Sequence, residues 1–395
     1  MKQGWEIKPL GDMCEKTSNI KWQENQNIEF EYIDLSAVSR ETLKITETVS
    51  VNSTNAPSRA KKIVKTNDII FATTRPTLKR VVKISNQYNN QICSTGYVVL
   101  RSKTDLIEPE IIFYYLQTEM YMDRMESMQR GANYPAVTDK DVKETIFSYP
   151  VSKGEQKRIV AKLDECFGAI DKARANVEKN LNNAKELFQS KLNQIFSQKG
   201  DGWEEKKLGE VAKTTAGGTP LKIHKEYYEN GLIPWLRSGE VGVKEITESK
   251  MFITELGLEN SSAKLVPKNS VMIAMYGATA GEVGVLKFES STNQAVCAIL
   301  PNDKLKPEFL YYYFLNEKEN LVSQAVGNAQ PNISQQKIKN ILIPFLSIEL
   351  QEKIVGQLDN LFEKTQSLES NYQQELDALD ELKKSILQKA FNGEL

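Results

Sequence analysis

The sequence is poor in the side chains that enzymes most often use for chemistry. It contains a single histidine, His224, so a Ser-His-Asp or Cys-His arrangement can occur at most once, and we interpret His224 as a surface or groove residue. There is no GxxxxGK[ST] loop, because the nearest approximation, from Gly277 to Gly281, lacks the phosphate-binding lysine. A GxGxxG motif and the Asn/Asp-Pro-Pro-aromatic tetrapeptide typical of amino-methyltransferases are also missing. These absences favour a binding function over a catalytic one.

Cysteines and long apolar runs are scarce as well. The four cysteines lie far apart without a CxxC pair or a histidine cluster, which argues against a zinc site and against a disulfide framework, and predicts buried thiols at Cys14, Cys93, Cys166 and Cys297. No apolar run reaches the roughly 20 residues of a membrane span, and the N-terminus lacks the apolar core of a signal peptide. We therefore expect a soluble, cytoplasmic protein.

The net charge of −1 hides a strong local bias. Between Val51 and Lys103 ten basic residues face one acidic residue, Asp68, which gives this stretch a charge of +9. The corresponding stretch of the second half, from Ala212 to Ser290, has nine basic and nine acidic residues and is neutral. A clustered positive charge is typical of nucleic-acid binding, so charge predicts such a surface in the first half only.

An internal repeat defines the organisation of the chain. GWEIKPLGDM from Gly4 matches GWEEKKLGEV from Gly202, and KTNDIIFA around Asn67 matches PKNSVMIA around Asn269. GANYP at 131–135 matches GNAQP at 327–331, and Gln156 with its following Ile-Val and Leu-Asp pairs recurs at Gln351. The order is kept throughout, so one unit of roughly 195 residues is written twice.

Each repeat closes with a long stretch almost free of helix breakers. Residues 155–198 and 349–392 contain one glycine each and no proline, which predicts two long helices. Apolar side chains recur in steps of four and three, so we predict that the helices pair as an antiparallel coiled coil. The alternative, amphipathic helices packed on their own domains, is disfavoured by their length. The residues predicted for the seam are Leu163, Ile170, Val177, Ala184, Leu358, Leu361, Leu368 and Leu379.

Upstream of each helix, short β-like runs alternate with turn-rich stretches and one short helical patch. The runs DIIFAT, YVVLR, SVMIAM and AVCAIL predict strands, and the tyrosines of the helical patches are expected to be core residues. The predicted fold class is α+β: two repeated globular domains separated by two long antiparallel helices, with approximate two-fold symmetry. The predicted boundaries are 1–150 and 200–346 for the domains, and 151–199 and 347–395 for the helices.

The combination of these motifs resembles the specificity subunits of Type I restriction-modification systems. The second half carries TTAGGTPLKIHKEYYENGLIPWLRSGEV, MIAMYGATAGEVGVL and STNQAVCAIL, and the first carries ICSTGYVVLR, GANYPAVTDKDVKETIFSYP and EQKRIVAKLDE. The resemblance covers essentially the whole chain in the family's order. One departure is that the GGTP stretch has no clear partner in the first half, where KTSNIKWQENQNIEF stands instead.

The resemblance implies a non-catalytic subunit in which each globular half is a target-recognition domain for one half of a split DNA site. Two methyltransferase subunits would dock around the coiled coil, and motor-nuclease subunits could join them. The chain itself would bind no cofactor, and S-adenosylmethionine would belong to the methyltransferase subunits. DNA methylation and restriction of foreign DNA would then follow the sequence that this chain reads.

Contacts to phosphates position a protein on DNA and contacts to base edges select the sequence, so the candidates divide between these roles. In the first domain we predict electrostatic contacts from Arg59, Lys61, Lys62, Lys79 and Arg80, and base reading by the loop with Thr74, Arg75 and Thr77, with Tyr134 nearby. In the second domain the equivalent loop has Tyr276, Gly277 and Thr279, and the further candidates are Thr219, Lys222, Arg237, Ser238 and Gln330.

Two other classes of function stay open at this point. A nuclease or a methylase-nuclease fusion is disfavoured by the missing motifs, and cleavage by the purified chain would support it. A structural scaffold without DNA contact is disfavoured by the +9 segment.

Overall fold

The computed structural model describes residues 3–26, 28–198, 202–323 and 332–395. The chain divides into two compact units, Met1–Glu178 with Gln374–Leu395, and Lys179–Gln373. Each unit therefore combines one globular domain with parts of both long helices. Within the described residues, no helix is both long and apolar enough to cross a membrane.

The described residues of the first unit's globular part form nine strands and three α-helices. The strands are β1 Trp5–Pro9, β2 Phe30–Ile33, β3 Val49–Val51, β4 Ala60–Ile63, β5 Ile69–Ala72, β6 Val81–Lys83, β7 Ile92–Ser94, β8 Tyr97–Leu100 and β9 Ile146–Pro150. The helices are α1 Pro109–Tyr115, α2 Glu119–Met128 and α3 Asp139–Lys143, and the long helix α4 Lys153–Ser197 follows. The strands form sheets of order β3-β2-β7-β4, β6-β5-β8 and β1-β9.

The second unit repeats this plan with a larger central sheet. Its strands are β10 Glu204–Lys207, β11 Thr214–Ala216, β12 Ile233–Leu236, β13 Glu245–Ile246, β14 Phe252–Ile253, β15 Val271–Ala274, β16 Val283–Leu286, β17 Ser291–Thr292, β18 Val296–Ile299 and β19 Leu342–Phe345. Its helices are α5 Leu208–Val211, α6 Glu255–Glu259, α7 Pro307–Asn316, α8 Lys318–Ser323, α9 Gln335–Asn340 and the long α10 Ile348–Asn392. The sheet orders are β11-β18-β15-β16-β13, β14-β12-β17 and β10-β19.

The four strands predicted from apolar runs, β5, β8, β15 and β18, are buried along their whole length. β5, β15 and β18 have a neighbour on both sides, and β8 lies at the edge of its sheet. Before β5 and β15 the chain turns through a left-handed residue, Asn67 with φ 70° and Asn269 with φ 69°. Asparagine tolerates this conformation better than most residues, which explains why it recurs at both turns. The tyrosines of α1 and α7 are buried, as predicted.

A buried glutamine ties the first turn of each long helix to its domain. The side-chain amide of Gln156 donates to the carbonyls of Leu106 and Pro150 at 3.0 and 2.8 Å, and its oxygen accepts from the Glu108 backbone N–H at 2.8 Å. Gln351 makes the same three kinds of contact, at 2.9 to 3.0 Å, in the second unit. A buried amide without these partners would destabilise the fold, so the repeated glutamine fixes the direction in which each helix leaves its domain.

The long helices run antiparallel within each unit. In the first unit Arg174 of α4 pairs with Asp380 of α10, Asp171 lies 3.8 Å from Lys383, and Arg158 donates to the carbonyl of Leu395 at 2.5 Å. These contacts move backwards along α10 as they advance along α4. In the second unit the rings of Phe188 and Phe362 are 5.4 Å apart. The predicted antiparallel pairing of the two helices is thereby confirmed.

The seam differs from the predicted one at one position. Leu163, Ile170, Val177, Ala184 and Leu358 are buried, and Leu361 and Leu379 are half-buried. The prediction of Leu368 as a seam residue is wrong, because 39% of it is exposed. Thr365 is buried instead, and its hydroxyl donates to the carbonyls of Leu361 and Phe362 at 3.0 Å. A hydroxyl that satisfies itself on its own helix can face inwards, so α10 buries Thr365 and turns Leu368 to solvent.

Candidate nucleic-acid interface

The predicted reading loop of the first domain is anchored on both sides. Thr73 is buried, and its backbone N–H and its hydroxyl both donate to the carbonyl of Gly96, at 2.8 and 3.0 Å. Two residues on, Arg75 donates its backbone N–H to the carbonyl of Pro135 at 2.7 Å, and Thr74 forms a β-bridge with Ala136. The loop is therefore clamped between β8 and the segment that contains GANYP.

This clamp brings together two predicted residues that lie far apart in the sequence, Arg75 and Tyr134. The Arg75 guanidinium carbon lies 5.0 Å from the centre of the Tyr134 ring, and its Nη2 donates to the carbonyl of Asn133 at 3.4 Å. Tyr134 is 72% exposed. A cation held over an exposed ring loses less side-chain freedom on binding than a free arginine, so the guanidinium is oriented before a ligand arrives.

Arg75 also has an unusual backbone conformation. Its φ of 49° lies in the left-handed region, where the corresponding residue of the second domain, Gly277, has a φ of 70°. Glycine adopts this conformation without strain, whereas an arginine there costs free energy that the surrounding contacts must offset. Strain kept at an exposed, charged side chain favours a functional role for that side chain.

Two further predicted cations lie at β4: Arg59 directly precedes this strand and Lys61 lies within it. The carbonyl of Arg59 accepts the backbone N–H of Thr95 at 2.9 Å, and Thr95 directly precedes the Gly96 that holds the reading loop. Arg59 and Lys61 are both exposed, and no ion pair to either side chain occurs among the described residues. Both remain available for phosphate contacts.

Three other predicted cations have surroundings that differ from free surface charges. Lys62 donates to the Asp139 carboxylate at 2.5 Å and to the Tyr97 carbonyl at 2.6 Å, so its charge is already matched within the domain. Arg80 is half-buried, with its Nε shielded from solvent. Lys79 lines a cavity together with acidic residues of α10, and Thr77 is exposed on the short helix before it. Of these residues, Lys62 and Arg80 depart most from the prediction of open phosphate-binding cations.

In the second domain the surface that corresponds to the reading loop of the first lies around Tyr276, and we call this exposed polar surface the reading edge. Tyr276, two residues after the end of β15, is partly exposed and forms a β-bridge with Asn332. The preceding Met275 donates its backbone N–H to the carbonyl of Ala295 at 2.7 Å. The hydroxyl of Thr279 donates to the Tyr276 carbonyl at 3.4 Å and closes the turn. This turn has no cation comparable to Arg75.

The remaining candidates of the second domain lie around this edge, except Gln330, which is outside the described residues. The Thr219 hydroxyl donates to the side chain of Gln294, which directly precedes Ala295. Arg237 donates its backbone N–H to Glu240 at 2.9 Å at the start of the short helix that contains Ser238, and its Nε lies 3.9 Å from the same carboxylate. Lys222 is exposed.

Sequence reasoning missed two exposed amides of the second domain, Gln294 and Asn332. Side-chain amides can bond to an adenine edge through two hydrogen bonds, so both fit a base-reading role. Asn332 directly follows the GNAQP motif and faces Tyr276 in the β-bridge. The recurrence of GANYP as GNAQP was the sequence signal that could have identified Asn332, because the residue after each motif forms a β-bridge to the candidate reading loop.

The chemistry of the described residues matches a binding surface better than a reactive centre. Burial raises the pKa of the Cys14 and Cys297 thiols to about 12, so both are neutral thiols and poor nucleophiles. His224 lies 2.9 Å from the Glu226 carboxylate and against the Tyr227 ring. Among the described residues no three His, Cys, Asp or Glu side chains are grouped to hold a metal ion.

Two tandem α+β domains, each joined to a 45-residue helix and each with an exposed polar edge, define a two-module recognition protein. Comparison with known proteins gives the family. The family described as Type I restriction modification DNA specificity domain matches residues 2–181 and again residues 200–378. The chain belongs to this family.

Individual relatives agree with the assignment. The HindI specificity subunit of Haemophilus influenzae is 24% identical over 87% of this chain and 90% of its own length. The EcoR124I/EcoR124II specificity subunit of Escherichia coli is 30% identical over 56% of this chain and 55% of its own length.

Solved structures agree over nearly the full length of both chains. A chain from work on complex assembly and conformational transition of the type I R-M system has a TM-score of 0.89 and 28% identity, over 100% of this chain and 99% of that one. The HsdS subunit from Thermoanaerobacter tengcongensis has a TM-score of 0.66 and 28% identity, over 100% of this chain and 98% of that one. The chain is thus a DNA-specificity subunit of the Type I restriction-modification class, with a recognition role and no catalytic one.

Proposed function

We propose that the two domains read the two halves of one split DNA site, and that the chain positions methyltransferase subunits on that site for adenine methylation. Two repeated modules suit two half-sites about a helical turn apart, with unread bases between them. We take residues 1–150 and 200–346 as the two reading domains, and 151–199 and 347–395 as the spacer helices.

The observation that carries the proposal is the clamped pair of Arg75 and Tyr134. Arginine can grip the O6 and N7 atoms of a guanine through two parallel hydrogen bonds, and a good contact of this kind discriminates against a wrong base by about 1–3 kcal/mol. Arg75 is exposed, oriented by the Tyr134 ring and strained in its backbone. Arg59 and Lys61 would supply phosphate contacts beside it.

The second domain would read its half-site mainly with neutral polar groups. Thr219, Tyr276, Gln294 and Asn332 offer hydroxyls and amides at one edge, and Lys222 and Arg237 add charge nearby. Because the Ala212 to Ser290 segment is electrically neutral, we expect this domain to contribute less to salt-dependent affinity than the first. Its contribution would be selectivity.

The partners follow from the family rather than from this chain's own contacts. Double-stranded DNA, two methyltransferase subunits and, where restriction occurs, motor-nuclease subunits would complete the assembly. S-adenosylmethionine would bind the methyltransferase subunits and not this chain. Since the substrate is cellular DNA, the complex would act in the cytoplasm at the nucleoid.

The test is a map of genomic methylation in cells that carry the cognate methyltransferase, with and without this chain. We expect methylation of one split motif, two short half-sites at a fixed spacing, only when the chain is present. If no motif depends on the chain although the methyltransferase co-purifies with it, the chain is a scaffold and the proposal fails.

Variants of Arg75 localise the reading. Arg75→Lys keeps the charge but cannot grip a guanine edge through two parallel hydrogen bonds, so one position of one half-site should relax while the other half-site stays unchanged. Arg40→Ala is the control, because Arg40 is exposed in the same unit and, among the described residues, its guanidinium forms an ion pair with its neighbour Glu41. Equal motifs from the wild type and Arg75→Lys would show that Arg75 does not read a base.

A further inference from the structure

A loop of the second domain, residues 219–225, exposes aliphatic side chains to an unusual degree. Leu221 is 62% exposed and Ile223 is 85% exposed. In the first domain the stretch that stands in its place, KTSNIKWQENQNIEF, contains a buried isoleucine, Ile20, whose backbone N–H donates to the Lys61 carbonyl at 2.7 Å, and a second isoleucine, Ile28, that is 48% exposed. Leu221 and Ile223 are each more exposed than either of these two isoleucines.

The base of the 219–225 loop is fixed by close packing. A side chain at Gly217 would place its Cβ 2.1 Å from the Thr292 carbonyl oxygen, and one at Gly218 would lie 2.3 Å from the Ala263 nitrogen. The buried Trp235 donates its indole N–H to the Gly218 carbonyl at 2.9 Å. Only glycine allows these approaches, so the GG pair serves to seat the loop against the domain.

The far side of the loop is held as well. The Tyr228 hydroxyl donates to the carbonyl of Pro220 at 2.5 Å. The backbone N–H of His224 donates to the Leu221 carbonyl at 3.1 Å and closes a turn. The exposed side chains thus project from a seated turn. A preorganised apolar tip loses little conformational entropy when it binds.

Charge and position indicate what the tip meets. Lys222 and Lys225 flank Ile223, both are exposed, and no ion pair to either ammonium occurs within the described parts of the chain. Thr219, at the start of the loop, bonds to Gln294 of the proposed reading edge. An aliphatic side chain between two free cations, continuous with that edge, fits a DNA groove, where cations meet phosphates and apolar groups meet bases.

We propose that the 219–225 loop enters the major groove of the second half-site and that Ile223, assisted by Leu221, contacts the C5-methyl group of a thymine. The methyl group is the one apolar feature of a base edge in that groove, so an exposed aliphatic side chain can distinguish thymine by it. This inference rests on the proposed function and specifies which chemical group the second domain reads.

The experiment uses the complex of this chain with its methyltransferase and the site found by methylation mapping. Each thymidine of the second half-site is replaced in turn by deoxyuridine, which lacks only the methyl group, and dissociation constants are measured at one salt concentration. Burial of one methyl predicts about a fourfold weaker binding at one position. With Ile223→Ala, binding should be weaker overall and that position should no longer distinguish thymidine from deoxyuridine.

Val243→Ala is the matched control, because Val243 is a β-branched residue of the same domain that is 53% exposed and precedes Lys244, whose ammonium bonds to Asp359 of α10 at 2.7 Å. It should keep the full thymidine preference. Thermal melting of both variants at the wild-type temperature excludes misfolding.

The outcomes separate the two proposals. If the wild-type complex prefers the mapped site but is indifferent to every thymidine replacement, or if Ile223→Ala keeps the preference, the loop inference is overturned while the proposed function stands. A second half-site without thymine on either strand would also overturn it. Loss of methyltransferase co-purification with Ile223→Ala would assign the loop to a protein partner instead. A wild-type complex with no site preference would refute the proposed function itself.

Discussion

The last turns of the chain complete the hydrophobic core of the first domain, and this gives the sharpest prediction about stability. Phe391 of α10 is buried, with its ring 5.5 Å from that of Tyr115 in α1. Leu387 and Ala390 belong to the same core cluster, which also contains Leu163 of α4. A residue near the C-terminus should therefore be as important to this domain as a residue inside it.

The expected cost of Phe391→Ala follows from the burial. Removing roughly 150 Å² of buried apolar surface at about 25 cal/mol per Å² costs about 4 kcal/mol, within the range of about 3–5 kcal/mol for buried phenylalanines. For a unit of this size each kcal/mol lowers the melting temperature by about 2–4 °C, so the first unit should melt about 8–16 °C lower. The assay is thermal unfolding together with limited proteolysis.

Leu382→Ala provides the control on the same helix. Leu382 is exposed, and alanine is a strong helix former, so the change should stay within about 0.5 kcal/mol of the wild type. If Phe391→Ala and Leu382→Ala melt at the same temperature, the end of α10 does not pack into the first domain and the reasoning fails.

Three further predictions concern positions whose environment the structure defines. Lys244→Met removes the ammonium that lies 2.7 Å from the Asp359 carboxylate in a half-buried ion pair. This should lower the free energy of unfolding by about 1 kcal/mol, measured as a lower urea midpoint with an unchanged slope. Gly217→Ala would force a Cβ to 2.1 Å from the Thr292 carbonyl oxygen and should cost at least about 1–3 kcal/mol in denaturant unfolding, whereas Gly168→Ala, in open space on α4, should be neutral or stabilising. Hydrogen bonds from the backbone and hydroxyl of Thr138 hold the pKa of Asp141 below its ordinary value of 3.8. The Asp141 carboxylate therefore stabilises the fold above pH 3.8, and this contribution is lost as the pH falls below that value. Asp141→Asn should flatten this part of the acid unfolding curve.

The sequence predicted the frame of the molecule because the frame rests on local and repeated signals. Two heptad stretches almost free of helix breakers form α4 and α10, and the apolar runs after Asn67 and Asn269 form the central strands β5 and β15. These features depend on backbone propensity and on the period of apolar residues, both of which can be read from neighbouring positions.

The roles of individual charges could not be predicted in the same way. Lys62 looked like any other member of the +9 segment, but its ammonium is neutralised by Asp139, 77 residues further on. Arg75 acquired its interest only when the fold placed Tyr134 beside it. Charge pairing across a domain depends on tertiary contacts, and a count of lysines and arginines carries no information about those contacts.

Comparison of the two repeats separates polar residues that support the fold from those that we propose for DNA recognition. The recurring polar residues Asn67/Asn269 and Gln156/Gln351 support turns and helix starts, where a change of chemistry would leave strain or an unsatisfied buried group. At the exposed edge the two halves differ instead: Arg75 occupies the left-handed position of Gly277, and the residue before the carbonyl that anchors the loop is Thr95 in the first half and Gln294 in the second. An edge that can change while its supports stay fixed lets one scaffold acquire new target sequences without losing stability, so differences between the halves are a better guide to DNA-reading residues than their similarities.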